Sequence, residues 1–230
     1  MLELLYQDAH LVAVAKPSGL LVHRTGAAPD RDTSMTLLRN QLRRWVYPVH
    51  RLDRGASGVL LFALDPDTAR TVTEAFTHRS VKKTYLAVLR GVVPDEGTID
   101  CPLAETPEKE PAEAHTVFTR LAHVELPHAV GRYPTARYSL ARVEPLTGRM
   151  HQIRKHMAHI RHPLVGDVTH GDSKHNRLFR DLFHVPRLLL HAEELRLPLP
   201  HAEGEITIRA PLPEELTGLF QSLGFQGNRC

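Results

Sequence analysis

The sequence predicts an α+β protein, folded as one large domain or two subdomains, and three observations carry that reading. Residues 58–64, GVLLFAL, form a nearly unbroken apolar run that reads as a strand buried on both faces. Segments with helical spacing and recognisable caps are interleaved with further short strands along the chain. At 230 residues, 42% of them hydrophobic, the chain can bury a sizeable core.

Taken in order, Leu2–Tyr6 and Leu11–Ala15 read as strands about the polar turn at residues 7–10. Lys16, Pro17, Ser18 and Gly19 break that pattern, and Gly26–Asp32 reads as loop. Thr33 or Ser34 caps a helix whose apolar positions Met35, Leu38, Leu42 and Trp45 are expected in the core. Pro48 ends that region. After the buried strand, Asp65 caps a second helix with Pro66 at its first position and Ala69, Val72 and Phe76 on one face. Val81–Gly91 reads as another buried strand. Residues 94–114 are rich in Pro and Glu without periodicity, and the expectation is an exposed loop. Val117–Glu125 and Ala136–Val143 are strands joined through Pro127, Gly131 and Pro134. Thr147 and Gly148 make a turn before a helix over Arg149–Arg161, with Ile153, Met157 and Ile160 at helical spacing. Ile206–Ala210 adds a strand, and Pro213–Phe225 a helix with Leu216, Leu219, Phe220 and Leu223 inward. No internal repeat is evident.

Composition excludes several classes. No apolar run reaches membrane-span length, and Glu3, Asp8 and Lys16 near the start do not suit a signal peptide, so the expected location is cytoplasmic, with no membrane partner. Cys101 and Cys230 lie far apart with no CxxC, which argues against a disulfide framework and a thiolate zinc site. The net charge of +3 does not by itself indicate a nucleic-acid partner. Its distribution is more informative: residues 142–180 hold eight Arg and Lys against Glu144, Asp167 and Asp172. A mostly Arg-built patch suits phosphate, since guanidinium meets it bidentately, although a solvated helix face has the same composition. Six histidines share this window, but His151, His156, His159 and His162 lack HExxH spacing; no metal is expected there, and these rings read as surface, RNA-facing or helix-packing. There is no dinucleotide fingerprint and no P-loop, so no cofactor is expected.

The candidate chemistry lies directly before the buried strand. Arg51, Asp53 and Arg54 arrive at its mouth, followed by Gly55, Ala56, Ser57 and Gly58, which permit a tight turn. Rigid delivery of a carboxylate suits catalysis, and an ordinary ion pair with Arg51 or Arg54 gives the same local pattern.

HRLD at His50–Asp53, with the small-residue turn through Ser57 and Gly58, resembles the signature of the RluA family of pseudouridine synthases. Four further segments follow the family's order: KPSGLLVHR at Lys16–Arg24, the K-x-Y motif at Lys83–Tyr85, TGRxHQIRxH with a downstream HPxxGD between Thr147 and Asp167, and the leucine-rich Arg187–Pro200. The resemblance runs from Leu2 to about Ala210. It implies the pseudouridine synthase fold: a mixed, mainly antiparallel sheet in two subdomains flanked by helices, with a central active-site cleft. It also implies one catalytic domain over residues 1–230, acting as a monomer, without the separate N-terminal S4 domain of some relatives.

By the same resemblance, Asp53 is the essential residue, Arg154 its partner, Arg51 fills the space left by the flipped base, and Tyr85 and Leu190 hold the uracil. Arg149, Lys155, Arg161 and Arg177 are the expected RNA contacts. GRYPTARYSL at 131–140 and residues 159–177 resemble members that modify a T-stem uridine of tRNA, which makes tRNA the expected partner. Ribosomal RNA, or a non-catalytic RNA-binding role on this fold, is the alternative. One departure is Ala56, where the family usually has Thr; the Asp53 loop must then be positioned by backbone groups or by Ser57.

Overall fold

A computed structural model describes residues 1–24, 32–106 and 108–225. The expected loop at Gly26–Asp32, except Asp32, and Cys230 lie outside the described residues. In chain order the elements are β1 (Glu3–Gln7), β2 (Leu11–Lys16), α1 (Ser34–Leu42), β3 (Tyr47–Pro48), β4 (Ser57–Ala63), α2 (Pro66–Thr77), β5 (Lys82–Arg90) and β6 (Glu96–Asp100). They continue with β7 (His115–Leu126), β8 (Ala136–Pro145), α3 (Gln152–His159), α4 (Ser173–Phe183), β9 (Leu190–Pro198), β10 (Glu205–Arg209) and α5 (Glu214–Ser222). The fold is α+β, with mostly antiparallel strand pairing. The chain divides into two compact units, Met1–Lys83 with Ala192–Pro211, and Thr84–His191 with the segment from Leu212 onward.

In the first unit β4 is the central strand, antiparallel to β2 along one side from Leu11↔Ala63 to Lys16↔Gly58. All seven of its residues are buried, as its apolar run requires. Gly58 adopts φ +116°, and a Cβ there would overlap the Ala192 backbone, so only glycine fits this approach. β1 extends the sheet from β2, and β10 pairs with β9. Asp65 caps α2 by accepting the Thr68 N–H at 2.8 Å, with Pro66 in the first turn. Val72 of α2 packs with Leu61, Val59 and Leu195 in this unit's core.

In the second unit β5, β8, β7 and β6 follow one another in antiparallel register, including Tyr85↔Val143, Phe118↔Val143 and Gly97↔Phe118. Leu216, Leu219, Phe220 and Leu223 of the C-terminal helix region face the core formed by Tyr138, Leu140 and Phe179, as the spacing predicts.

Four elements differ from the sequence reading. Helix α1 stops at Leu42, where Arg43 takes the left-handed conformation (φ 53°). Trp45 therefore lies beyond the helix, 68% exposed under the Arg39 guanidinium, and not in the core. The stretch read as a loop from 94 to 114 contains β6, an edge strand whose EGTID sequence has too little apolar alternation to show it; pairing with β7 buries Ile99. Helix α3 is shorter than Arg149–Arg161 because His151 and Arg161 both adopt positive φ and bound it. Helix α4 was not anticipated, although Asp172 caps it through the Lys174 N–H; its many cations obscured a narrow apolar face around Phe179.

Candidate active site

The loop that carries Asp53 is clamped at its carbonyls by both backbone and side-chain donors. The Gly19 N–H donates to the Arg54 carbonyl at 2.8 Å, Ser18 Oγ to the Gly55 carbonyl at 2.7 Å, and the Ala56 N–H to the Asp53 carbonyl at 3.1 Å. Arg54 Nε returns a bond to the Gly19 carbonyl at 2.9 Å. Lys16, at the end of β2, is 1% exposed, and its ammonium donates to the carbonyls of Pro17, Leu20 and Arg54. A buried cation needs such dipoles around it, and here they join the KPSG turn to the loop after HRLD. No motif letter assigns Lys16 a role of its own. The available signal was a lysine closing the otherwise apolar strand LVAVAK. Arg51 is exposed and Asp53 half-buried in this unit.

His50 begins the same motif. Its ring stacks on Phe76, and its Nε2 accepts the Leu61 N–H at 2.9 Å, which requires that nitrogen to be unprotonated. Burial, with the Lys83 cation nearby, lowers its pKa from 6.5 to about 3, and burial alone lowers Lys83 to about 8. Between pH 6.5 and 3 the unfolded chain binds a proton at His50 that the folded chain does not, so this group's contribution to stability falls as pH falls through that window. The expected slope reaches about 1.4 kcal/mol per pH unit. Urea unfolding from pH 7.5 to 5 should show a shallower slope for His50→Gln, which keeps an acceptor; equal slopes would mean that folded His50 takes up the proton.

In the second unit Arg154 projects from α3 and is 8% exposed. Asp167 grips it bidentately, Nε to Oδ2 at 2.7 Å and Nη2 to Oδ1 at 2.8 Å. Asp167 also accepts the N–H groups of Thr169 and His170. Burial raises its pKa, but Arg154 and those N–H donors outweigh burial and hold the carboxyl at about 2. This fork uses two of the five guanidinium donors and fixes the plane of the group. The preceding Gly166 has φ +80°, and a Cβ would collide with the Arg187 carbonyl. The GD pair of HPxxGD thus brings chain and carboxylate to Arg154. The motif letters by themselves do not mark Asp167 as the partner of Arg154.

Tyr85 is half-buried at the start of β5, and Leu190 is buried at the start of β9. Of the expected RNA contacts, Arg161 and Arg177 are exposed. Arg149 is exposed and donates from Nε to the Glu113 carbonyl, while Lys155 donates to the Ala104 carbonyl at 2.7 Å. His156 is fully buried, bonded to Thr116 Oγ1 and near the Cys101 carbonyl, so it is a packing residue. Arg51 and Asp53 belong to the first unit; Tyr85, Arg154, Leu190 and the other cations belong to the second.

The chain belongs to the RNA pseudouridylate synthase family, whose sequence profile matches residues 10–159. Within that family it is 46% identical over 232 residues to tRNA pseudouridine synthase C of Vibrio vulnificus, covering 96% of this chain and 95% of that protein. It is also 46% identical to tRNA pseudouridine synthase C of Vibrio cholerae, over 98% and 97% of the two chains. Among solved structures, human RNA pseudouridylate synthase domain containing 1 superposes with TM-score 0.73 at 25% identity, over 100% of this chain and 97% of that one. Human RNA pseudouridylate synthase domain containing 4 gives TM-score 0.75 at 24% identity, over 96% and 93%, and supports the fold.

Proposed function

We propose that this enzyme converts a uridine of tRNA, in the T-stem, to pseudouridine. The observation that carries the reading is the 46% identity, over nearly the full length of both chains, to proteins named tRNA pseudouridine synthase C. Asp53 is the catalytic carboxylate. The N1–C1′ glycosidic bond of the target breaks, uracil rotates, and C5 bonds to C1′; the C5 proton leaves and N1 regains one, so atoms balance without a redox step. Ionised Asp53 acts either on the sugar carbon or on its C2′ proton. Arg154 stabilises that anion, Arg51 enters the stack vacated by the base, and Tyr85 and Leu190 hold the uracil. Flipping the base costs a few kcal/mol, which these contacts offset.

Tyr85 offers a ring face to the flipped base, worth on the order of 1–3 kcal/mol. Tyr85→Phe keeps that face and is expected to retain most of the rate; Tyr85→Leu is expected to lose about tenfold or more. If Tyr85→Phe instead traps an RNA adduct that Leu does not, the hydroxyl is an acid–base group and stacking is not its main role.

Exposed Arg161 and Arg177 contact phosphates in this reading. Neutralising both should flatten the log–log salt dependence of RNA binding by roughly 0.7–0.9 per lost contact. An unchanged slope would place the RNA path elsewhere.

The test of function is pseudouridine mapping of total RNA from cells with and without the gene. Loss of one T-stem pseudouridine in tRNA is expected. Loss confined to ribosomal RNA would replace the substrate, and no loss anywhere would favour a non-catalytic RNA-binding role.

A further inference from the structure

Outside the motifs, the first unit brings three metal-ligating side chains together: His10 from the β1–β2 turn, Asp65 at the N-cap of α2, and His201 from the β9–β10 turn. One ligand atom from each lies within 4.8 Å of the others. Among the described residues this is the one group of its kind. We propose that it is a binding site for a zinc-class divalent cation, with two imidazoles, one carboxylate and a solvent-facing fourth position.

The distances suit that ion. His10 Nδ1 and Asp65 Oδ2 are 3.1 Å apart. Two ligands about 2.0–2.2 Å from a tetrahedral zinc are about 3.3–3.6 Å apart, so this pair needs to open by only a few tenths of an ångström. The His10 and His201 rings are 4.4 Å apart, centroid to centroid, and a ligand nitrogen of each lies within 4.8 Å of the others in the group. The donor set of imidazole and carboxylate favours zinc over magnesium, which prefers oxygen ligands and retains water.

The ligands are also held in advance. The His10 N–H donates to Asp8 Oδ1 at 2.7 Å, and its carbonyl accepts the Leu64 N–H at 2.8 Å, immediately before Asp65. Asp65 is fixed by the Thr68 N–H and hydroxyl, which both donate to its carboxylate at 2.8 Å. Thr68 Oγ1 also lies 2.6 Å from His201 Nε2, which gives the site an outer partner of the kind that orients ligands. Without metal these groups satisfy one another as a hydrogen-bonded chain. Cation binding exchanges the His10–Asp65 bond for coordination and keeps Thr68 as an outer partner, tying together residues 10, 65 and 201 of the first unit.

The test is calorimetric titration of the full, untagged chain with zinc chloride, paired with thermal unfolding with and without zinc. One saturable equivalent and a raised Tm are expected, and magnesium chloride should give neither. His10→Ala, His201→Ala and Asp65→Asn should each weaken zinc binding by about 10- to 100-fold or more and abolish the Tm rise. Asn retains the helix cap, so Asp65→Asn separates ligation from capping; circular dichroism of the zinc-free variants checks the fold. Absence of a saturable equivalent in the parent chain would overturn the proposal. So would binding and a Tm rise left unchanged by all three substitutions, since the ion would then sit on other histidines.

Discussion

Asp53→Asn is expected to reduce pseudouridine formation below detection while leaving RNA affinity within a few-fold of the parent. Asn preserves the shape of the side chain, and the bonds to the carbonyls of Asp53, Arg54 and Gly55 that clamp the loop do not depend on the side-chain charge. Only the anion is lost. Removing one acid–base group costs roughly 10²–10⁴-fold, and an obligatory carboxylate with no substitute falls at or beyond the upper end. Single-turnover assays on a tRNA transcript, with filter binding on the same samples, separate the two quantities. A normal single-turnover rate would remove Asp53 from the chemistry, and a parallel loss of binding would make its role structural.

Asp167→Ala is expected to be the most destabilising polar substitution in the second unit. It leaves the Arg154 guanidinium, 8% exposed, without its bidentate partner, and it strips the Thr169 and His170 N–H groups of their acceptor. Breaking a buried pair from one side costs about 3–5 kcal/mol. Asp167→Asn should cost less, because it keeps an acceptor for the backbone. The double variant Arg154→Met with Asp167→Leu is expected to regain part of the stability, since an apolar pair can replace a buried ion pair but gives the Thr169 and His170 N–H groups no acceptor. It should remain inactive, which separates the stability carried by the pair from the role proposed for Arg154. Urea midpoints measure the first and single-turnover rates the second. A midpoint for Asp167→Ala close to the parent's would show that the pair contributes little. On acidification, Asp167's contribution is present above pH 3.8 and fades as pH falls toward about 2.

The elements legible in the sequence are those whose local pattern and tertiary role agree. β4 shows as an apolar run because it is buried throughout, and α2 shows through Asp65 and Pro66 because a cap and a first-turn proline act locally. β6 was hidden because an edge strand draws its stability from β7 and not from its own residues. Trp45 was misplaced because helical spacing continues past Leu42, and nothing in Arg43 announces the left-handed turn that ends α1. The same distinction holds at the site. Motif letters pointed to Asp53 and Arg154, but the residues that hold their surroundings in place, Lys16 and Asp167, act through contacts with segments distant in sequence, such as Lys16 with Arg54. The His10, Asp65 and His201 cluster had no sequence signal, since its members are 55 and 136 positions apart.

Isomerisation of a tRNA uridine by this chain alone can be measured directly. The direct measurement is incubation of the purified protein with an unmodified tRNA transcript in buffer without added cofactor, followed by nucleotide-resolution pseudouridine mapping. The parent protein should convert one T-stem uridine, and Asp53→Asn none. Absence of pseudouridine with the parent protein, or equal conversion by both proteins, would contradict it.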